Sequence, residues 1–284
     1  MAAALIAYFT GTGGTAKAAD SMAAAFMQRG LTVDKQQIKR NKAIPHGDES
    51  LLVLLFAVHA ANAPLPVHEW LEALTPVEGT HAVVISVSGG GEIFPNTACR
   101  GGSIRRLEAK GYRVVYEQTL VMPSNMSVAT PDFLAQRLLA VLPERAARIA
   151  DDVLNGMERR VKPQAIDRMM SALCLAEHKG AHHFGKQLTA TDACNGCGWC
   201  MRSCPGDNIR MEHGRPVFGT SCVMCFGCAY GCPQHAIEAK RLGFVLSKKG
   251  FDIHRYEQLP ELPDEKTGLL MAGVRRYLND EAMW

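Results

Sequence analysis

Aromatic residues make up only 7% of the 284 positions, and no apolar run approaches the roughly 18 residues that a membrane-spanning helix needs. No membrane span is therefore expected. The N-terminal Met1-Ala2-Ala3-Ala4-Leu5-Ile6-Ala7-Tyr8 has neither a cationic leader region nor a cleavage site, so a cytoplasmic protein is expected. Long basic runs are also absent. Thirty-one Lys and Arg stand against 28 Asp and Glu, a formal charge of +3, which does not make the electrostatic footprint of a nucleic-acid-binding protein. Outside one short segment cysteine is rare too, with only Cys99 and Cys174. What is present is ordinary globular composition, 47% hydrophobic and 21% charged, in a chain long enough for one large or two modest domains.

Candidate strands at residues 5–9, 32–36, 51–58, 82–87 and 113–120 alternate with helical stretches at 16–29, 67–74 and 103–110, and an amphipathic helix over 131–150 closes the series. The near-continuous apolar run Leu51-Leu52-Val53-Leu54-Leu55-Phe56 suits a parallel strand covered by helices on both faces. The pattern breaks near Lys162-Pro163, and a helix over 164–179 leads towards the remaining cysteines. The expected organisation is an α/β domain over 1–160, a helical linker over 161–188, a cysteine domain over 189–240 and an extension over 241–284. In the extension a hairpin-like 242–251 and a short helix over 265–278 are expected.

Eight of the ten cysteines lie between Cys194 and Cys232, where the chain repeats itself with an offset of 28 residues. Each half reads C-x-x-C-x-x-C-x-x-x-C-P. Clustering of this kind in a cytosolic chain points to metal rather than to disulfides. Three thiolates spaced by two residues can wrap one face of a cubane, while the fourth reaches the neighbouring cluster. The expected ligand sets are crossed: Cys194, Cys197, Cys200 and Cys232 for one cluster, Cys222, Cys225, Cys228 and Cys204 for the other. A pair of zinc sites is the alternative, but tetrahedral zinc needs no third cysteine and no displaced fourth. Residues 189–240 thus resemble a bacterial ferredoxin carrying two [4Fe-4S] clusters, which implies one-electron transfer through neighbouring centres. Trp199, Phe226 and Tyr230, inside the motifs, read as packing that keeps water away.

After the first strand, Thr10-Gly11-Thr12-Gly13-Gly14-Thr15-Ala16-Lys17 feeds a helix, and such a turn offers backbone N–H groups and the positive helix end to a phosphate. A Walker loop is absent, whereas a dinucleotide fingerprint is formally possible through Gly11, Gly13, Ala16 and Asp34. Hydroxyls at positions 10, 12 and 15 favour a monophosphate cradle. On these residues the N-terminal part resembles the flavodoxins, whose T/S-x-T-G-x-T loop holds the phosphate of FMN. The resemblance implies a doubly wound five-stranded parallel sheet of order 2-1-3-4-5, with flavin at the switch point. The expected flavin-binding residues are Thr10, Gly11, Thr12, Gly13, Gly14 and Thr15, then His59, Ala60 and Asn62 after strand three, and Ser88, Gly89, Gly90, Gly91, Phe94 and Asn96 after strand four. Position 14 departs from the Asn of many flavodoxins, and Phe94 is the sole aromatic in either ring loop. Residues 122–126, after strand five, are expected to border the open edge of the flavin domain and stand outside that set.

The whole chain resembles flavodoxin–ferredoxin fusion proteins of anaerobes. The resemblance implies an α/β flavodoxin-like domain followed by a small α+β ferredoxin-like one, with FMN and two [4Fe-4S] clusters as cofactors. The expected function is electron transfer to a redox partner protein; an FMN-dependent oxidoreductase acting on a small molecule, fed through the clusters, is the alternative. If flavin and cluster lie far apart in one chain, a head-to-tail homodimer is expected. Two oxidised clusters shift the formal charge from +3 to about −1. Cys99, at a helix start, and Cys174 are read as structural, and His182 and His183 as a polar cover of the domain junction.

Overall fold

The computed structural model describes residues 3–42, 49–174, 177–247 and 249–279. The apolar run of residues 51–56 is completely buried in β3 (Leu51–Ala57), the middle of a five-stranded sheet. β1 (Ala3–Phe9) and β4 (His81–Ser88) flank it, with β2 (Thr32–Gln37) and β5 (Arg113–Val121) at the edges, so the order is β2-β1-β3-β4-β5. All four pairings are parallel, with Ile6 level with Val53 and Val53 with Val83. This is the flavodoxin-like order, and it departs from the 3-2-1-4 start of the dinucleotide fold. The acidic residue of the rejected fingerprint, Asp34, lies exposed in mid-strand on β2.

Alternate side chains of these strands feed two cores. Ile6, Val53, Leu55, Val83 and Ile85 face α1 (Gly14–Gln28) and α4 (Asp132–Leu154); Leu5, Phe9, Leu52, Leu54 and Val84 face α2 (Leu65–Ala73) and α3 (Gly101–Ala109). The edge strand β5 is covered by its own chain, because Arg159 donates to Val115 and accepts from the Glu117 amide. Such cover blunts an edge that would otherwise template pairing with another molecule. Beneath β4 and β5 the fully buried Arg100 reaches Glu117 at 2.8 Å, Glu92 at 2.5 Å, and the hydroxyls of Ser86 and Thr119.

Two helices follow, α5 (Ala165–Cys174) and α6 (Glu177–Gln187), where a single helix over 164–179 was expected; residues 175 and 176 lie outside the described residues. The cysteine region has two antiparallel pairs, β6 (Leu188–Ala190) with β9 (Ile237–Ala239) and β7 (Ile209–Glu212) with β8 (Arg215–Phe218). Short helices α7 (Trp199–Ser203) and α8 (Gly227–Tyr230) carry the third cysteine of each motif. Among the described residues the expected hairpin over 242–251 does not form: Ser127 donates to Val245, Leu246 bridges to Met126 and Ser247 donates to the Tyr230 hydroxyl, while Val245 and Leu246 close local turns on Leu242 and Gly243. It returns to the first domain through α9 (Arg255–Gln258) and α10 (Ala272–Asn279), the latter starting seven residues later than expected, after Pro263 and Gly268. Among the described residues no helix is long and apolar enough to cross a membrane.

Replacing Arg100 by Ala would strand the buried Glu117 carboxylate and the half-buried Glu92, and the expected cost is about 3–5 kcal/mol of stability. Urea unfolding of the full chain measures it. A loss below about 1 kcal/mol would mean that water or Arg160 takes over the pairing.

Candidate functional site

The loop after β1 builds a cradle from local geometry. Gly13 adopts φ +92° and its N–H donates to the Thr10 hydroxyl at 3.2 Å, which turns the chain into α1. The first helical bond runs from the Lys17 N–H to the Gly13 carbonyl, so the amides of Gly14, Thr15 and Ala16 precede the ladder. They point outward at the positive end of a 15-residue helix. Thr10 and Thr15 are buried, and the Thr12 hydroxyl accepts from Asn125 Nδ2 at 2.9 Å.

Above this cradle opens a cleft of about 310 Å³. Of the residues expected to bind, Thr10, Gly11, Thr12, Gly14, Thr15, His59, Ala60, Ser88 and Gly89 line it. Gly13, Asn62, Gly90, Gly91, Phe94 and Asn96 do not line it, each for a visible reason. Gly13 forms the turn itself. The Asn62 amide is taken up by the carbonyls of Ala60 and Ser171. A Cβ at Gly273 of α10 would lie 2.1 Å from the Gly90 carbonyl, and one at Gly91 3.0 Å from the Gly273 carbonyl, so the Gly90 carbonyl faces the tail helix, and Gly91 and Gly273 admit that helix against the loop. Phe94 turns outward, 55% exposed, and Asn96 donates to the Ser88 hydroxyl.

Two walls lie outside the expected set. Met122, Pro123, Ser124, Asn125 and Met126, after β5, form one; Met224, Cys225 and Phe226, from the second cysteine motif, form the other. The second wall is pressed against the cradle. A Cβ on Gly11 would sit 2.5 Å from both the Cβ and the carbonyl oxygen of Cys225, and one on Gly227 2.6 Å from the Gly11 carbonyl. Val223 is buried in the core under the sheet. Arg40 ties the same region down, its amide donating to Pro205 and its guanidinium to Ser221 and Glu69. Glycine spacing signalled a phosphate loop, but no local pattern foretold this long-range contact.

Seven of the eight thiols fall into two neighbourhoods, with the exposed Cys197 outside both. Cys222, Cys225 and Cys204 crowd Cys228, with Cys200 next in influence, whereas Cys232 and Cys194 are the neighbours of Cys200. Burial pushes the Cys222 thiol up to about 11 and the Cys225 thiol up to about 12, and it also raises Cys228 and Cys200. Backbone N–H groups of Met224, Asn208 and Ala236 donate at 3.4 Å to the sulfurs of Cys222, Cys204 and Cys232, an arrangement that favours thiolate. Around them Phe184, Phe226, Ile209, Ile237 and Ala236 exclude water, with Trp199 laid against Gly231.

Residues 187–233 match the family of 4Fe-4S dicluster domains. The chain joins a flavodoxin-like domain to a 4Fe-4S ferredoxin-like domain. No curated protein matches it. Solved structures similar to just over half of the chain include a flavodoxin of Streptococcus pneumonia TIGR4, at 17% identity over 54% of this chain and 99% of that one with a TM-score of 0.42. The Megasphaera elsdenii flavodoxin gives 20%, 51%, 98% and 0.37 in the same order. The NAD(P)H:quinone oxidoreductase from Methanothermobacter marburgensis gives 13%, 54%, 98% and 0.40. Likenesses at this distance add nothing to the strand order and register described above.

In the ferredoxin-like domain α6 is integral, since a Cβ on Gly185 would lie 2.5 Å from the Cys222 Cβ and Phe184 meets Phe226 edge-on at 5.5 Å. His182 borders a small gap with His59, Pro64 and Cys222, and His183 is exposed. Cys99 precedes α3 and is buried; burial raises its thiol, which suits a structural and unreactive cysteine. Cys174 is half-buried at the end of α5, not enclosed.

Because only thiolate alkylates, a raised pKa slows the reaction at neutral pH and speeds it as pH rises. In cluster-free protein at pH 7.5, iodoacetamide should therefore label the exposed Cys197 well before Cys225 and Cys222, and raising the pH to about 10 should narrow the gap. Peptide mass spectrometry over time reads the order; equal rates at pH 7.5 would contradict it.

Proposed function

We propose that the protein is an electron carrier in which FMN occupies the cleft and exchanges electrons with two [4Fe-4S] clusters, for delivery at low potential to a redox partner protein in the cytoplasm. The cradle at residues 10–15 would take the FMN phosphate, and the cleft the ring. The fit is good: the amides at the start of α1 and the Thr10, Thr12 and Thr15 hydroxyls offer donors without a cation, and about 310 Å³ lies at the low end of ligand pockets. That size favours one ring system over a ring with a substrate beside it, and so a carrier over a small-molecule reductase.

The ligand sets would be Cys222, Cys225, Cys228 and Cys204 for a cluster proximal to the cleft, and Cys194, Cys197, Cys200 and Cys232 for a distal one. The observation that carries this reading is that Cys225 lines the cleft itself, in contact with Gly11. Flavin supplies a centre that handles one or two electrons, each cluster a centre that handles one. The protein's own part is to hold these centres side by side, keep water away through Phe184 and Phe226, and offer the exposed Cys197 edge to a partner. With Gly11 and Cys225 touching in one chain, passage requires no second copy, and the distance argument for a homodimer falls away.

Anaerobically purified full-length protein should hold about eight irons and one FMN per chain. Zinc in place of iron, or no flavin uptake, would overturn the reading. Cys204→Ser should lose about half the iron and slow flavin-to-cluster transfer in stopped-flow absorbance by more than tenfold, while Cys232→Ser loses the same share yet retains fast flavin oxidation. Slower transfer in Cys232→Ser than in Cys204→Ser would reverse the proximal and distal assignment, and identical kinetics would overturn it.

A further inference from the structure

The flavin-facing loops of the α/β domain are short of apolar planes. Phe94 turns to solvent, and Met122 and Met126 are the large apolar side chains that this domain brings to the cleft. The opposite wall comes from Met224 and Phe226, on either side of Cys225. Both take left-handed backbone conformations, φ +52° at Met224 and +61° at Phe226. For bulky residues this costs about 1–3 kcal/mol each and persists only where the surroundings impose it. One constraint is the Met224 N–H donating to the Cys222 sulfur; another is the packing of Phe226 between Phe184 and Tyr230, at 5.5 and 6.1 Å.

The same loop is tied to the phosphate cradle. The Tyr230 hydroxyl donates to the Asn125 carbonyl at 2.8 Å, and Asn125 Nδ2 donates to the Thr12 hydroxyl. Gly11 rests on Cys225. Whatever fixes residues 222–228 therefore also fixes one wall of the cleft and the position of a cradle hydroxyl.

We propose that Met224 and Phe226 are flavin-binding residues contributed by the ferredoxin-like domain, and that loading of the proximal cluster sets the affinity for FMN. This rests on the reading of the cleft as a flavin site. Ligation through Cys222, Cys225 and Cys228 holds the loop in its left-handed conformation; without the cluster the loop relaxes and the wall is lost. Linkage makes the effect reciprocal, so bound FMN retains the proximal cluster by the same factor.

The test titrates FMN into full-length protein under anaerobic conditions and reads quenching of flavin fluorescence, with iron measured on every sample. Met224→Ala, which keeps all eight cysteines, should hold its iron and bind FMN about tenfold more weakly, as expected for one buried Met side chain. Cys204→Ser, which leaves every residue of the cleft wall in place, should weaken binding at least as much, whereas Cys232→Ser should leave it within about twofold. In wild-type protein, saturating FMN should slow chelator removal of half the iron and spare the other half. Equal FMN affinity in wild type, Met224→Ala and Cys204→Ser would overturn the inference while leaving the flavin site standing. Absence of FMN binding to fully loaded wild type would overturn both.

Discussion

Between residue 11 and residue 225 two main chains approach so closely that a single added methyl would lie 2.5 Å from a carbonyl oxygen. Van der Waals contact at that point admits only glycine, and the rest of the molecule is arranged around it. The Arg40 side chain and amide hold the cysteine region from below, Val223 enters the core of the α/β domain, and Lys17, next to the cradle, pairs with Glu257 of the extension. Interiors packed to crystal density transmit displacement instead of absorbing it. A cradle, a cysteine loop and a tail that meet at one tight contact therefore move as a unit, which is what short-range electron passage demands.

The extension, which shows no chemistry in its sequence, acts as a brace. Ile253 and Tyr256 are buried against α1 and α4, and Val274 and Tyr277 against Leu134 and Leu138. Phe251 continues a row of ring contacts from Tyr230 to Tyr256, at 6.1 and 6.2 Å. Through that row the tail bears on the wall that carries Phe226. Gly91 and Gly273 belong to this brace, since the absence of a Cβ at each lets α10 close down on the loop after β4.

Local pattern made most of the fold legible. Strands with buried apolar runs, such as residues 51–56, declared themselves because both faces are covered, and the 28-residue cysteine offset revealed a duplicated motif without any structure. The cradle was legible because helix-start chemistry is local. Three glycines after β4 read equally well as a ring loop or as a docking surface for a helix nearly two hundred residues away, and sequence distance hides the second. Asn62 was hidden similarly, because its partner Ser171 belongs to α5. The wall at 224–226 is not legible in sequence because Cys225 and Phe226 already read as a cluster ligand and its packing, while Met224 carries no signal of its own.

The two neighbourhoods of thiols differ in what surrounds them, and the difference gives the pathway a direction. Cys225 lies between the cleft and a dry interior, whereas Cys197 is exposed on a loop where the Arg202 guanidinium donates to the Cys197 carbonyl. Hydrogen bonds to sulfur and exposure to water both tune cluster potentials. On the proposed ligand sets the two centres would therefore differ in surroundings, since the outer one alone has an exposed cysteine, Cys197. In the proposed arrangement, with the outer edge open at Cys197 and the inner edge sealed by Gly11, a partner docking near Cys197 would exchange electrons through the clusters without touching the cleft.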